Sequence, residues 1–136
     1  MAYTVDEMFI GMEHYRWYNV TSSVGRGAAN HYDDVCLVQL LLSYLRPYVP
    51  NLQKAALKPM RVDGICGPVT QSYIDAYANS LAVAGGKIDP GFKHGAYMLI
   101  WAMNRWLYEK APAAHEGIPE DVRTPAVLRQ SLRHVV

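Results

Sequence analysis

Val62-Asp63-Gly64-Ile65-Cys66-Gly67-Pro68-Val69-Thr70 is the stretch on which the fold reading turns. Two glycines, an aspartate, a proline and a threonine stand between two helical patterns. Gly64 and Gly67 can take positive φ without a Cβ penalty. Asp63 can accept a hydrogen bond from the backbone two residues on and so start a turn. Pro68 suits the first turn of a helix, where a missing N–H is no loss. Thr70 can bond the orphan donors there. The stretch reads as a tight loop that launches a helix, and folding alone accounts for each of its residues.

Working outward, the preceding helix is expected to start at Asp33 or Asp34. Its apolar stripe is Val35, Val38, Leu42 and Leu45, widened by Leu41. It stops at Arg46-Pro47, where proline forbids continuation. Residues 47–59 form a connection with a short helical turn around 51–57. The helix launched by the loop runs over 68–81, with Val69, Tyr73, Ile74, Tyr77 and Leu81 inward. A glycine and aspartate turn cluster at 84–91 leads into an apolar helix over 95–110. Tyr97, Trp101 and Trp106 belong to it, and apolar residues cover most of its circumference. Such a helix is buried in a core or against a partner.

At the N-terminus, Thr4 and Glu7 have capping-box spacing, and Tyr3 and Met8 have hydrophobic-staple spacing. Val5, Met8, Phe9, Met12 and Tyr15 recur at helical spacing, which predicts a helix over 5–18. Residues 19–32 are polar and glycine-rich and read as a loop. Gly25-Arg26-Gly27 lacks the spacing and the lysine of a phosphate loop. Residues 111–121 read as a linker with two prolines. Thr124 as N-cap and Pro125 at the first position then start a short last helix. No strand is expected. The predicted fold is all-α and a single domain over 1–136. It has a three-helix core at 19–107, an added N-terminal helix at 1–18, and a linker with a C-terminal helix at 111–136.

A chain of 136 residues is long enough for one sizeable core. Its formal net charge of +1 offers no electrostatic capture of nucleic acid. The longest apolar run, 96–103, is too short to cross a membrane. No basic n-region marks a secretory signal, so the expectation is a soluble chain made in the cytoplasm. Two cysteines, Cys36 and Cys66, are too few for a disulfide scaffold and read as thiols. Ten tyrosines and three tryptophans are many for this length and serve core packing first.

The pattern Asp34-Val35, Val38-Gln39, Leu41-Leu42, followed by Asp63-Gly64-Ile65-Cys66-Gly67-Pro68-Val69-Thr70, resembles the peptidoglycan-binding domain-like family. That family reads D-V-x-x-V-Q-x-L-L, a spacer, then D-G-x-F-G-x-x-T. Ser23-Val24-Gly25-Arg26-Gly27 with Asn30 is similar to the S-V-G-x-G-x-x-N lead-in of one bacterial branch. Gly86-Lys87-Ile88-Asp89-Pro90-Gly91 is similar to that branch's glycine and aspartate turn. The match covers about 20–106. Three departures stand out: Cys66 replaces the family's aromatic, the closing F-Q is Tyr77-Ala78, and the 47–59 spacer is long. The resemblance implies a small helical module that binds the bacterial cell wall without catalysis or cofactor. Its ligand contacts would come from Asp63, Gly64, Gly67, Thr70, Tyr73, Tyr77 and Asn30. The branch also occurs in secretion-system and phage-like contexts, which implies delivery to the periplasm by a signal-independent route.

Catalytic signatures are missing from the sequence. The five histidines are scattered, with no H-E-x-x-H pair, and no metal site is expected. The densest cluster is His31 with Asp33 and Asp34, which reads as loop and cap chemistry. Cys66 has no histidine nearby in sequence. No acidic pair with glycosidase character is recognisable. Two alternatives stay open beside wall binding. One is a protein-interaction module using Tyr97, Trp101 and Trp106 as its partner surface. The other is a small wall hydrolase whose site the sequence does not disclose.

Overall fold

The computed structural model describes residues 1–8, 14–54, 56–83, 86–92 and 98–135. Its central element is helix α1, Tyr32–Leu45. Leu37, Leu40, Leu41, Leu42 and Leu45 are all fully buried. A helix with so many buried apolar residues must be surrounded, and three later helices and a short strand pack on α1. A short helix α2, Pro50–Lys54, follows. Helix α3, Pro68–Ser80, starts with proline in its first turn, as the loop chemistry predicts. Helix α4, Leu99–Lys110, buries Ile100, Met103, Asn104 and Leu107. It packs on α1.

The all-α expectation is wrong. The described residues are about 50% helix, with two small antiparallel sheets. Strands β1, Tyr3–Met8, and β2, His14–Asn19, pair in place of the predicted N-terminal helix. Val5 faces Trp17 across this pair, and both are buried. The tyrosine, threonine, valine and tryptophan content suits a pleated, half-buried surface better than a helix. The capping-box spacing is present but unused. Thr4 instead donates its backbone N–H to His134 and its hydroxyl to the Leu132 carbonyl, tying β1 to the C-terminal segment. The second sheet pairs β3, Val24–Gly25, with β4, Lys87–Ile88. It joins the glycine-rich lead-in to the later glycine and aspartate turn.

Three smaller expectations also change. Asp33 and Asp34 do not cap α1, whose N-cap is His31 without a side-chain bond. Asp34 is fully buried and accepts from Thr21 N at 3.1 Å, Thr21 Oγ1 at 3.2 Å and Ser22 N at 3.1 Å. Burial pushes its carboxyl upward against those bonds. Asp33 accepts from Ala2 N at 2.6 Å. The 111–121 linker is structured, holding helix α5, Pro112–Glu116, and a 3-10 turn, Ile118–Glu120. Its two prolines fall at helix starts, where they are tolerated. Helix α6, Ala126–Leu132, begins one residue later than expected. Thr124 spends its hydroxyl on the Ile118 carbonyl at 2.7 Å instead of capping.

Buried side-chain amides stitch these pieces together. Asn104 of α4 is fully buried. Its Nδ2 donates to the Tyr18 carbonyl at 2.9 Å, and its Oδ1 accepts from Tyr18 N at 2.8 Å. It thus pairs with β2 much as a neighbouring strand would. Oδ1 also meets His115 Nε2 at 2.9 Å. With Nδ2 committed to carbonyls, that contact assigns the His115 proton to Nε2. Asn19 treats Gly91 the same way, donating to its carbonyl at 2.8 Å and accepting from its N–H at 3.0 Å. Trp17 then closes over Gly91, where a Cβ would stand 2.8 Å from the indole.

Among the described residues, Tyr77 is the exception to this satisfied core. Its hydroxyl is buried with no hydrogen-bond partner among the described residues. An unpaired buried hydroxyl costs about 1 kcal/mol or more in desolvation. Tyr77→Phe is therefore expected to stabilise the fold by about 1 kcal/mol in urea unfolding. A variant less stable than the parent would mean that the hydroxyl has a partner.

Candidate functional site

The 62–70 loop is built around one side chain from α1. Gln39 is 1% exposed. Its Oε1 accepts the N–H groups of Asp63 at 3.1 Å and Gly64 at 3.0 Å. Its Nε2 lies 2.9 Å from Asp63 Oδ1, 3.1 Å from the Ile65 carbonyl and 3.0 Å from Thr70 Oγ1. One carboxamide therefore holds both ends of the loop. Asp63 Oδ1 also accepts Ile65 N at 3.0 Å, the turn expected of an aspartate here. The hydrogen bond from Gln39, then that from Ile65 N, holds the Asp63 carboxyl below its usual range, and Arg61 adds to this.

Gly64 has φ +73°, which only glycine adopts freely. The Tyr32 ring lies directly on it: a Cβ would fall 2.1 Å from Cδ2. Gly64→Ala is expected to lose about 2 kcal/mol, roughly half from the left-handed backbone and half from displacing the ring. Adding Tyr32→Ala should recover only the steric half. A loss below about 0.5 kcal/mol in urea unfolding would show that this backbone is not held. Gly67, by contrast, is extended, with φ −92°, and nothing lies within 4 Å of its missing Cβ. The positive φ foreseen there is absent.

A surface groove of about 220 Å³ runs along the loop. Asp63, Ile65, Gly67 and Thr70 line it, with Arg61 and Pro68 beside them. Ile65 is 67% exposed at its edge. Asp63, Ile65 and Gly67 therefore share one open surface, with Thr70 buried at its floor.

Comparison of the chain with family models, with curated proteins and with solved structures finds no match. The functional reading rests on the residues themselves.

The remaining predicted contacts are placed elsewhere. Gly64 is buried beneath Tyr32. Tyr73 and Tyr77 are fully buried on the core side of α3 and present no surface to a ligand. Tyr73 works from inside: its hydroxyl donates to the Lys58 carbonyl at 2.6 Å and accepts from Arg46 Nη1 at 2.7 Å. Arg46 Nη2 reaches the Leu57 carbonyl at 3.0 Å. The pair moors the 57–58 segment that leads into the loop. Asn30 is spent on its own loop, bonding Gly25 N at 2.8 Å and the Gly25 carbonyl at 2.9 Å. It shapes the lead-in and has φ +53° to do so. Gln39 is the residue that the site reading missed. It was visible as the glutamine of V-x-x-V-Q, but sequence spacing does not disclose a partner 24 residues away.

Among the partner residues, Tyr97 lies outside the described residues. Trp101 and Trp106 are half-buried against the core. Cys36 and Cys66 are both free thiols. Burial pushes the Cys66 thiol up, which works against a nucleophilic thiolate. Among the described residues no three His, Cys, Asp or Glu side chains gather as a metal site. His31 Nδ1 stands 3.9 Å from Asp34 Oδ2, whose oxygens already serve Thr21 and Ser22. No described helix is long and apolar enough to cross a membrane.

Proposed function

We propose that this chain is a non-catalytic module that binds peptidoglycan in the groove beside 62–70. The observation that carries the reading is the coincidence of motif and surface. Asp63, Ile65 and Gly67 of the motif line one groove, and Gln39 holds the loop backbone in a single shape. A pre-formed groove binds without first losing loop entropy. Asp63 and Arg61 supply charge, and Ile65, Pro68 and Val69 supply apolar contact. The place of action in this reading is the periplasm, where the wall lies.

The test is co-sedimentation with purified sacculi, at salt sufficient to screen surface charge. The parent chain is expected in the pellet. Ile65→Asp changes an exposed side chain, so it should keep the fold and weaken capture by roughly tenfold. Asp63 and Thr70 are poor choices for this purpose, because both belong to the Gln39 network. Parent chain left in the supernatant would end the proposal.

A further inference from the structure

The groove does not stop at α3. Pro68 and Val69 also line a second depression of about 190 Å³, with Leu57, Lys58 and Ser72. Together the two depressions, both lined by Pro68 and Val69, make up the trough. Its cations are Lys58 and Arg61, both exposed. Neither side chain has a hydrogen bond or salt bridge among the described residues. Its anion is Asp63, of which Oδ1 is spent on the loop while Oδ2 has no partner among the described residues. The rest of the lining is mainly small and aliphatic, and none of it is aromatic. Sugar rings are held chiefly on aromatic faces, which this trough lacks.

We propose that the trough takes the peptide stem of the wall polymer and not its sugar chain. The ligand is a short peptide with small aliphatic side chains and more free carboxylates than amino groups. Its carboxylates meet Lys58 and Arg61, its amino group meets Asp63 Oδ2, and its methyl groups lie on Pro68 and Val69. Two cations against one anion match that charge balance. This inference rests on the wall-binding reading above.

The experiment uses three probes: intact sacculi, sacculi stripped of stem peptides by an amidase, and the isolated stem peptide. The parent chain is expected to bind the first and third and to lose the second. A Lys58→Gln, Arg61→Gln double variant, shown to be folded by circular dichroism, should bind the stem peptide roughly tenfold more weakly. Equal binding to stripped and intact sacculi overturns the inference and leaves wall binding standing. So does failure of the isolated peptide to bind, or an unchanged double variant. No binding to intact sacculi removes both readings.

Discussion

Gln39→Ala is expected to destabilise the protein by about 4 kcal/mol, the largest effect of any single substitution foreseen here. The truncation leaves the Asp63 and Gly64 N–H groups without their acceptor and Asp63, Ile65 and Thr70 without their shared donor. Each buried group left unpaired costs about 1–3 kcal/mol, and the lost volume adds a cavity term. Against a typical domain stability of about 5–15 kcal/mol, this is a large fraction. Urea unfolding measures the total. Amide exchange locates it: Gly64 should exchange far faster in the variant, while the amides of α4 follow only the global loss. Gln39→Glu discriminates further. It keeps the shape and an acceptor but places a carboxylate 2.9 Å from Asp63 Oδ1, so it should be nearly as damaging. A loss below about 1 kcal/mol for Gln39→Ala would remove the clamp from the account.

Acid sensitivity is the second large effect. His115 is 3% exposed, and burial holds its imidazole at about 4 against an ordinary value of 6.5. The folded chain therefore keeps His115 neutral where the unfolded chain takes up a proton. Its contribution is complete above pH 6.5 and is lost as pH falls from 6.5 to 4. The loss across that window is about 3 kcal/mol. Below pH 4 both states carry the proton and this source of pH dependence ends. Urea midpoints for the parent and His115→Gln isolate the contribution, since glutamine can still donate to Asn104 but does not titrate. The parent should lose stability more steeply than the variant between pH 6.5 and 4. Parallel slopes would show that His115 is not the group responsible.

The parts of the fold legible in the sequence were those with local causes. Helix α3 follows from Pro68 and the glycine-rich loop before it, and α1 from the spacing of Val35, Val38, Leu42 and Leu45. The N-terminal hairpin was not legible. Thr4 with Glu7, and Tyr3 with Met8, satisfy helical spacing, while the strand pairing depends on distant groups. Asn104 satisfies the Tyr18 backbone from 86 residues away, and Leu132 receives the Thr4 hydroxyl from 128 residues away. Tertiary contacts of that range override local propensity. The candidate site divides in the same way. Asp63, Gly67 and Thr70 line the groove, Thr70 with only 3% of its surface exposed. Tyr73 and Tyr77 are internal, because α3 turns its aromatic stripe toward α1 and α4. Residue type alone does not separate a tyrosine that moors a segment from one that meets a ligand.

Asn19, Asn30, Gln39 and Asn104 each join a main-chain N–H and a main-chain carbonyl through one carboxamide. A carboxamide neither gains nor loses a proton in the range where proteins work. These four couplings are therefore blind to acidity, and the imidazole of His115 is a separate weak point next to one of them. Mild acid should lower the free energy holding the chain together without reshaping the groove, so that ligand capture ends by depletion of folded molecules and not by gradual softening of the site.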